Sequence, residues 1–453
     1  MTSPAKPIGL RRVIGTRLLL VFIVGDILGT GIYALIGQVA GQVGGAVWIP
    51  FLLAFLIATP TALSYLELVT KYPQAAGSAI YAHRAFGKRW VTFLVGFAVL
   101  ASVIGAAATG ARVFAAHLAA VLHVETTAST LTLLSVGMVV AVMLVNLWGI
   151  RESMIASVTI TAIELVGLLI VIAVGVAAVG RGEADLSRSF TLDAHGLQPT
   201  VMALLAATSL AFFAMVGFED SVNLAEETRN PSRAYPRAML GGLAITASVY
   251  VLVSIFAVAV VPPAGLAGSE TPLTAVVVRG MPGFPAHDMF AVITMFALVH
   301  TTLLNMLTAS RLVYGMAKHN VLPRALGDVL ASRRTPWKAV VVTTALASAL
   351  VSYVAHVGAG GIGLLAGTTS LLHLAVFSIV NVAVLMLRKR PVAHPHFRTS
   401  APVAAVAAVV CIALTTPLTG RDPRQYLLAG ALLALGMMLA IPALRSPART
   451  ESD

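Results

Sequence analysis

An all-α polytopic membrane protein with twelve transmembrane helices is the fold class this sequence predicts, and three observations predict it. Its 453 residues are 58% hydrophobic and 11% charged, with a mean hydropathy of +0.91, whereas a soluble domain carries about 25% charged residues. Apolar runs long enough to cross a bilayer, roughly 20 residues each, recur along the whole chain. Two of them, the first and the sixth, are interrupted by glycines at membrane depth.

Taken in order, the spans fall at 16–39, 44–70, 90–120, 129–149, 153–180, 199–218, 236–262, 286–316, 338–356, 360–387, 400–418 and 425–444. Leu18 to Val39 supplies the length of a crossing helix, yet Val24-Gly25-Asp26-Ile27-Leu28-Gly29-Thr30-Gly31-Ile32-Tyr33 stands at its centre. Unpaired backbone in hydrocarbon survives only against protein, a solvent-filled cavity or a ligand, so this segment reads as part of a site. Span five carries Glu164 in Ser157-x-x-x-Thr161-x-x-Glu164, a spacing that puts all three on one helix face. Span six runs apolar from Ser209 and then meets Gly217, Glu219 and Asp220. Span eight presents Thr301, Asn305 and Thr308 on one face, positioned to hydrogen-bond a ligand or span one, with His300 beside them. His373 lies in span ten and Cys411, the single cysteine, in span eleven. One cysteine excludes an internal disulfide, and in an apolar run it behaves as a small hydrophobe.

The interruptions are too short for a soluble domain, the longest being 180–198, 219–237, 262–284 and 318–337. The expected organisation is a cytoplasmic segment 1–15, a core 16–390, two further spans in 391–445 and a disordered cytoplasmic tail 446–453. The first span is long and lacks a small-residue cleavage site, so no cleavable signal peptide is expected. The net charge of +12 follows topology. With a cytoplasmic amino terminus, 23 of the 30 Lys and Arg residues fall on the inner side, as the positive-inside rule requires of a protein with both termini inside. Nucleic acid is therefore not an expected partner; the lipid bilayer is.

Paired breaks five spans apart point to an inverted-repeat transporter with its site between the broken helices. Each break exposes a helix end. The half-helix starting near Gly31 offers N–H groups and a positive dipole end, which suit a carboxylate. Carbonyls left open before Gly29 and Gly217 suit an ammonium, and glycines at 29 and 31 let a ligand approach the backbone. Together these make a receptor for a zwitterionic α-amino acid head. The alternative is that the glycines only permit close helix packing. Gly29-x-Gly31-x-x-Ala34 is no dinucleotide fingerprint, since no strand precedes it and no acidic residue follows about 20 positions on. No Walker-type loop occurs, and no His, Glu and Asp grouping has metal or nucleophile spacing. Neither catalytic residue, cofactor nor metal is expected.

At these residues the chain resembles the amino acid–polyamine–organocation superfamily of permeases. The resemblance rests on Gly25-Asp26-x-x-Gly29-x-Gly31-Ile32-Tyr33 and Tyr72-Pro73-x-Ala75-x-Gly77-Ser78-x-x-Tyr81. It rests further on Phe212-Phe213-Ala214 through Gly217-Phe218-Glu219 to Ala225-Glu226-Glu227-x-x-Asn230-Pro231-x-Arg233, and on Ser310-Arg311-Leu312-x-Tyr314-x-Met316-Ala317 with Leu322-Pro323. It covers roughly residues 15–390. It implies a five-plus-five inverted repeat with broken helices one and six, as in leucine-transporter-like folds, plus two further helices. It implies substrate carboxylate at Thr30 and Gly31, and the amino group at carbonyls near Ile27, Phe213 and Ala214. Phe213 and Val216 match an aromatic gate and a pocket wall, although Phe213 also reads as an ordinary lipid or core aromatic.

The activity implied is secondary amino acid permeation by alternating access in the cell membrane, with proton symport as the expected coupling. Proton-coupled relatives carry a lysine near the position of Glu164. A buried ionisable residue is functional by default, against the alternative of a protonated structural hydrogen-bonder. Glu219 matches an acidic position linked to proton coupling; Asp26 is a candidate for coupling or for the pathway. Asp220 reads equally as a solvated loop charge, and His300 and His373 read as structural. Glu226, Glu227 and Arg229 are expected in salt bridges at an inner gate. An exchanger or a polyamine or organic-cation permease uses the same scaffold, and a channel or membrane-embedded enzyme is the remaining different class.

Overall fold

The computed structural model describes residues 10, 12–122, 124–125, 127–192, 200–269, 271–282, 286–319, 321–357 and 360–445. The expected tail 446–453 and most of segment 1–15 lie outside the described residues. Among those described, the chain is helical, with isolated bridges in place of sheet. Its helices are α1 (Thr16–Leu28), α2 (Thr30–Val43), α3 (Trp48–Lys71), α4 (Gly77–Phe86), α5 (Arg89–Val121), α6 (Ala128–Trp148), α7 (Ile150–Gly180) and α8 (Thr200–Phe213). Then follow α9 (Pro231–Val260), α10 (Pro263–Ala267), α11 (Pro272–Gly280), α12 (Ala286–Lys318), α13 (Trp337–Val357), α14 (Gly360–Leu387), α15 (Ala401–Thr415) and α16 (Pro423–Arg445).

Eight helices among the described residues are long and apolar enough to cross a membrane, and three apolar helices are shorter. Side chains such as Leu133, Val201, Val409 and Leu427 are exposed on the outside of the bundle. An aqueous surface does not present so much apolar area; a lipid-facing one does.

Both expected breaks are present. The first apolar run is split into α1 and α2 at Gly29. The sixth ends as a helix at Phe213, short of the expected 218, turns irregularly and resumes as a 3₁₀ helix over Asp220–Glu227. Gly217 has φ +135°, a region that side chains with a Cβ rarely adopt. A Cβ there would lie 2.9 Å from the Asp26 carbonyl carbon and 3.1 Å from the Ile27 nitrogen. One break is therefore pressed onto the backbone of the other. Behind the second break an aromatic cluster stiffens the turn: Tyr65 meets Phe218 at 5.9 Å and Phe377 at 5.7 Å, both edge-on.

The terminal end of the bundle is closed by polar contacts. The nitrogens of Val13 and Ile14 each donate to the Glu227 carbonyl at 3.0 Å, and Arg229 N donates to Ile14 O at 2.8 Å. The Glu227 side chain pairs with Arg311 of α12 at 3.4 Å, both wholly buried. Glu226 accepts from Lys318 at 3.2 Å and from Ala75 N at 3.2 Å. The expected ion pairs of Glu226 and Glu227 are thus formed, while Arg229 reaches the Arg12 carbonyl instead of a carboxylate.

Two variants test this architecture. Gly217→Ala should cost about 1–3 kcal/mol through backbone strain and lower the thermal unfolding midpoint of the purified protein; an unchanged midpoint would remove the break-on-break contact from the account. Arg311→Met should cost about 3–5 kcal/mol by leaving Glu227 buried without its partner. The double variant with Glu227→Leu should recover much of that loss in the same assay.

Candidate functional site

A cavity of about 430 Å³ opens between the two breaks, within the size range of small-molecule sites, roughly 300–1,000 Å³. Its lining brings together Asp26, Ile27, Gly29 and Gly31 from the first break with Phe213, Ala214, Val216, Gly217 and Asp220 from the second. Thr301 and Asn305 of α12 and His373 of α14 complete the wall beside them. The cavity continues to Gly420, Arg421 and Asp422 in the α15–α16 connection, where Gly420 and Asp422 are exposed. It therefore opens at the end opposite the Ile14–Glu227 closure. Glu164 and Glu219 do not line it. The side chain of Thr30 lies outside the described residues, although its backbone begins α2.

The glycines are not simply open to a ligand. A Cβ on Gly31 would lie 2.7 Å from Ala214 Cα, and one on Gly29 would collide with Thr301 Oγ1. Close packing of the breaks is thus one reason for small residues here, and it holds whether or not a ligand also approaches. The start of α2 still leaves its first N–H groups without acceptors inside that helix, and Gly29 and Gly31 remain in the cavity wall.

Two expected acceptors are already engaged. The Tyr250 hydroxyl donates to the Ile27 carbonyl at 2.5 Å, and Val216 N donates to the Phe213 carbonyl at 3.3 Å. A carbonyl oxygen has two lone pairs, so each retains capacity for a second donor. Tyr250 was not legible as a site neighbour, because it lies far along the chain on α9 and no motif marks it. Phe213 is partly buried and lines the cavity, so it is not a lipid-facing aromatic.

Asp26, Glu219 and Asp220 are buried, at 7%, 3% and 3% exposure. Asp220 is therefore not a solvated loop charge. Glu219 Oε2 accepts the Gly217 N–H at 2.9 Å, taking a donor that the broken helix leaves over. Its Oε1 lies 3.2 Å from His373 Nε2, but the two are misaligned for a hydrogen bond. Donor atoms of Glu219, Asp220 and His373 all fall within 4.8 Å of one another. The sequence spacing shows no such grouping, because His373 joins it from α14 only through the fold.

A second polar assembly lies apart from the cavity lining. Glu164 Oε2 of α7 sits 2.9 Å from His300 Nδ1 of α12, and both side chains are wholly buried. His300 Nε2 reaches Ser157 Oγ at 2.9 Å and Thr161 Oγ1 at 3.4 Å. The expected face Ser157, Thr161 and Glu164 thus converges on one imidazole, and His300 is not a lone histidine. Gly25 of α1 covers this pair so closely that a Cβ would collide with Thr161 Oγ1 and His300 Cε1. The Tyr33 hydroxyl of α2 donates to the Glu164 main-chain oxygen at 3.3 Å.

The amino acid permease family matches residues 14–430 of the chain. An uncharacterized transporter of Mycobacterium tuberculosis is 30% identical over 437 residues, covering 95% of this chain and 92% of its own length. A branched-chain amino acid permease of Bacillus subtilis is 27% identical over 404 residues, covering 84% and 82%. A vacuolar cationic amino acid transporter of Arabidopsis thaliana is 28% identical over 396 residues, covering 81% of this chain and 58% of its own. The chain is a multi-pass membrane protein and belongs to the amino acid permease family.

Proposed function

We propose that this protein is a secondary active amino acid permease that works by alternating access and couples uptake to protons. The observation that carries the reading is the cavity shared by the two helix breaks, with Gly29 and Gly31 on one side and Phe213 to Gly217 on the other. In this reading the substrate carboxylate meets the N–H groups of Thr30 and Gly31, favoured by the dipole of α2. The ammonium takes the remaining lone pairs of the Ile27, Phe213 and Ala214 carbonyls. Phe213 and Val216 face the side chain, and Thr301 and Asn305 close the site from α12.

Breaks in the first and sixth spans support a five-plus-five inverted repeat, with α15 and α16 outside it. The excess of basic residues on one side supports cytoplasmic termini in a cell membrane. The cavity then faces outward, and the segment around Glu227, Arg311 and Ile14 is the closed inner gate. Opening inward requires α1 and the Asp220–Glu227 segment to move against α7, α12 and α14.

That movement supplies the coupling. Glu164 and His300 share a hydrogen bond in a site without solvent contact, and the roof over it is α1 at Gly25. Rocking α1 admits water to the pair in one state and seals it in the other. Glu219 acts differently in this account: its bond to Gly217 N ties its protonation to the geometry of the second break.

Purified protein in liposomes should take up at least one radiolabelled L-amino acid with saturation, faster as the outer pH falls, and lose that acceleration to a protonophore. Flux without saturation would count for a channel and against the permease reading. Glu164→Gln should flatten the pH profile while leaving the protein folded; a profile identical to that of the parent would take Glu164 out of the coupling.

A further inference from the structure

We propose that the cavity floor accepts a second positive charge, so that the preferred substrate is an amino acid with a cationic side chain docked between Asp26 and Asp220. This rests on the permease reading above. Asp26 and Asp220 reach the same cavity from the two breaks, and each is more than nine-tenths buried. Asp26 Oδ2 and Asp220 Oδ1 have no hydrogen-bond partner among the described residues. A carboxylate buried in its charged form without donors is costly. Asp220 and Glu219 are neighbours at the second break, and their carboxylate oxygens lie within 4.8 Å of each other and of a His373 ring nitrogen.

His373 gives an independent sign of the missing donor. Its Nδ1 lies 3.1 Å from the Thr369 carbonyl, an atom that only accepts, so Nδ1 carries the proton. Nε2 is left as a lone pair, 3.2 Å from Glu219 Oε1 and without a hydrogen bond. The imidazole is 2% exposed and lines the same wall. Asp26 Oδ2, Asp220 Oδ1 and His373 Nε2 are thus three buried acceptor atoms of one cavity wall with no hydrogen-bond partner among the described residues. Arg421, the one Arg or Lys in the lining, is held at the mouth by the carbonyls of Leu414 and Gly367 and by Ser370 Oγ.

A zwitterion does not balance this floor. Its one ammonium goes to the main-chain carbonyls and its one carboxylate to the start of α2, leaving both aspartates uncompensated. A guanidinium brings five N–H donors in a planar fork and an ammonium brings three. Either supplies the donors that Asp26, Asp220 and His373 lack.

The test uses pairs of amino acids of matched length that differ in side-chain charge: arginine with citrulline, and lysine with norleucine. In proteoliposomes, the basic member of each pair should compete with a transported tracer at about tenfold lower concentration, in the range of a close charge pair. Asp220→Asn and Asp26→Asn should each bring that ratio towards one. Thermal stabilisation of the detergent-purified protein by arginine but not citrulline gives a second readout that needs no variant to fold. Equal competition by citrulline and arginine in the unaltered protein overturns the proposal. So does stabilisation by Zn²⁺ without stabilisation by arginine, which would make Glu219, Asp220 and His373 a metal site. Uptake of neutral amino acids alone overturns the charge argument and leaves the permease reading intact, whereas transport of no amino acid sinks that reading itself.

Discussion

Two helices are broken inside an apolar bundle, and everything else is arranged around the backbone those breaks set free. In hydrocarbon a freed N–H or C=O finds no water, so it must be covered by another part of the protein. Here the breaks cover each other. Gly217 lies against Asp26 and Ile27, and Gly31 lies against Ala214. Tyr250 takes up the Ile27 carbonyl and Glu219 takes up the Gly217 N–H. The cavity is the space this mutual covering leaves unfilled.

The polar groups of the core then divide by access. Asp26, Asp220 and His373 sit in the cavity wall, where a ligand can meet them. Glu164 and His300 sit under α1, closed from the cavity by the backbone at Gly25. Glu227 and Arg311 close the end that carries the amino-terminal segment. α1 adjoins all three groups: it borders the cavity, roofs the Glu164–His300 pair and continues from the Ile14 contact.

Much of the cavity was legible in the sequence. Gly29, Gly31, Phe213, Ala214, Val216 and Gly217 were named from two short motifs and do line one cavity, because glycine and its neighbours leave a local mark wherever a helix breaks. The face Ser157, Thr161 and Glu164 was legible from helical periodicity. Its partner was not, because periodicity describes one helix at a time and says nothing about which helix faces it, so nothing in the sequence ties His300 to Glu164. The burial of Asp220 is not legible either, since hydropathy scores a carboxylate as polar wherever the fold then buries it.

By itself the sequence determined the class of molecule and the two helix breaks, both of which are set by local composition and spacing. Only the tertiary structure decided which groups meet across the bundle: Glu164 with His300, Glu219 with His373, Glu227 with Arg311, and Tyr250 with the Ile27 carbonyl. Those pairs join residues from 84 to 223 positions apart, leaving aside Glu219 and His373. Contacts at such separation depend on how helices pack, and no local pattern along the chain encodes that. The meeting of Asp26 and Asp220 in one cavity wall is of the same kind.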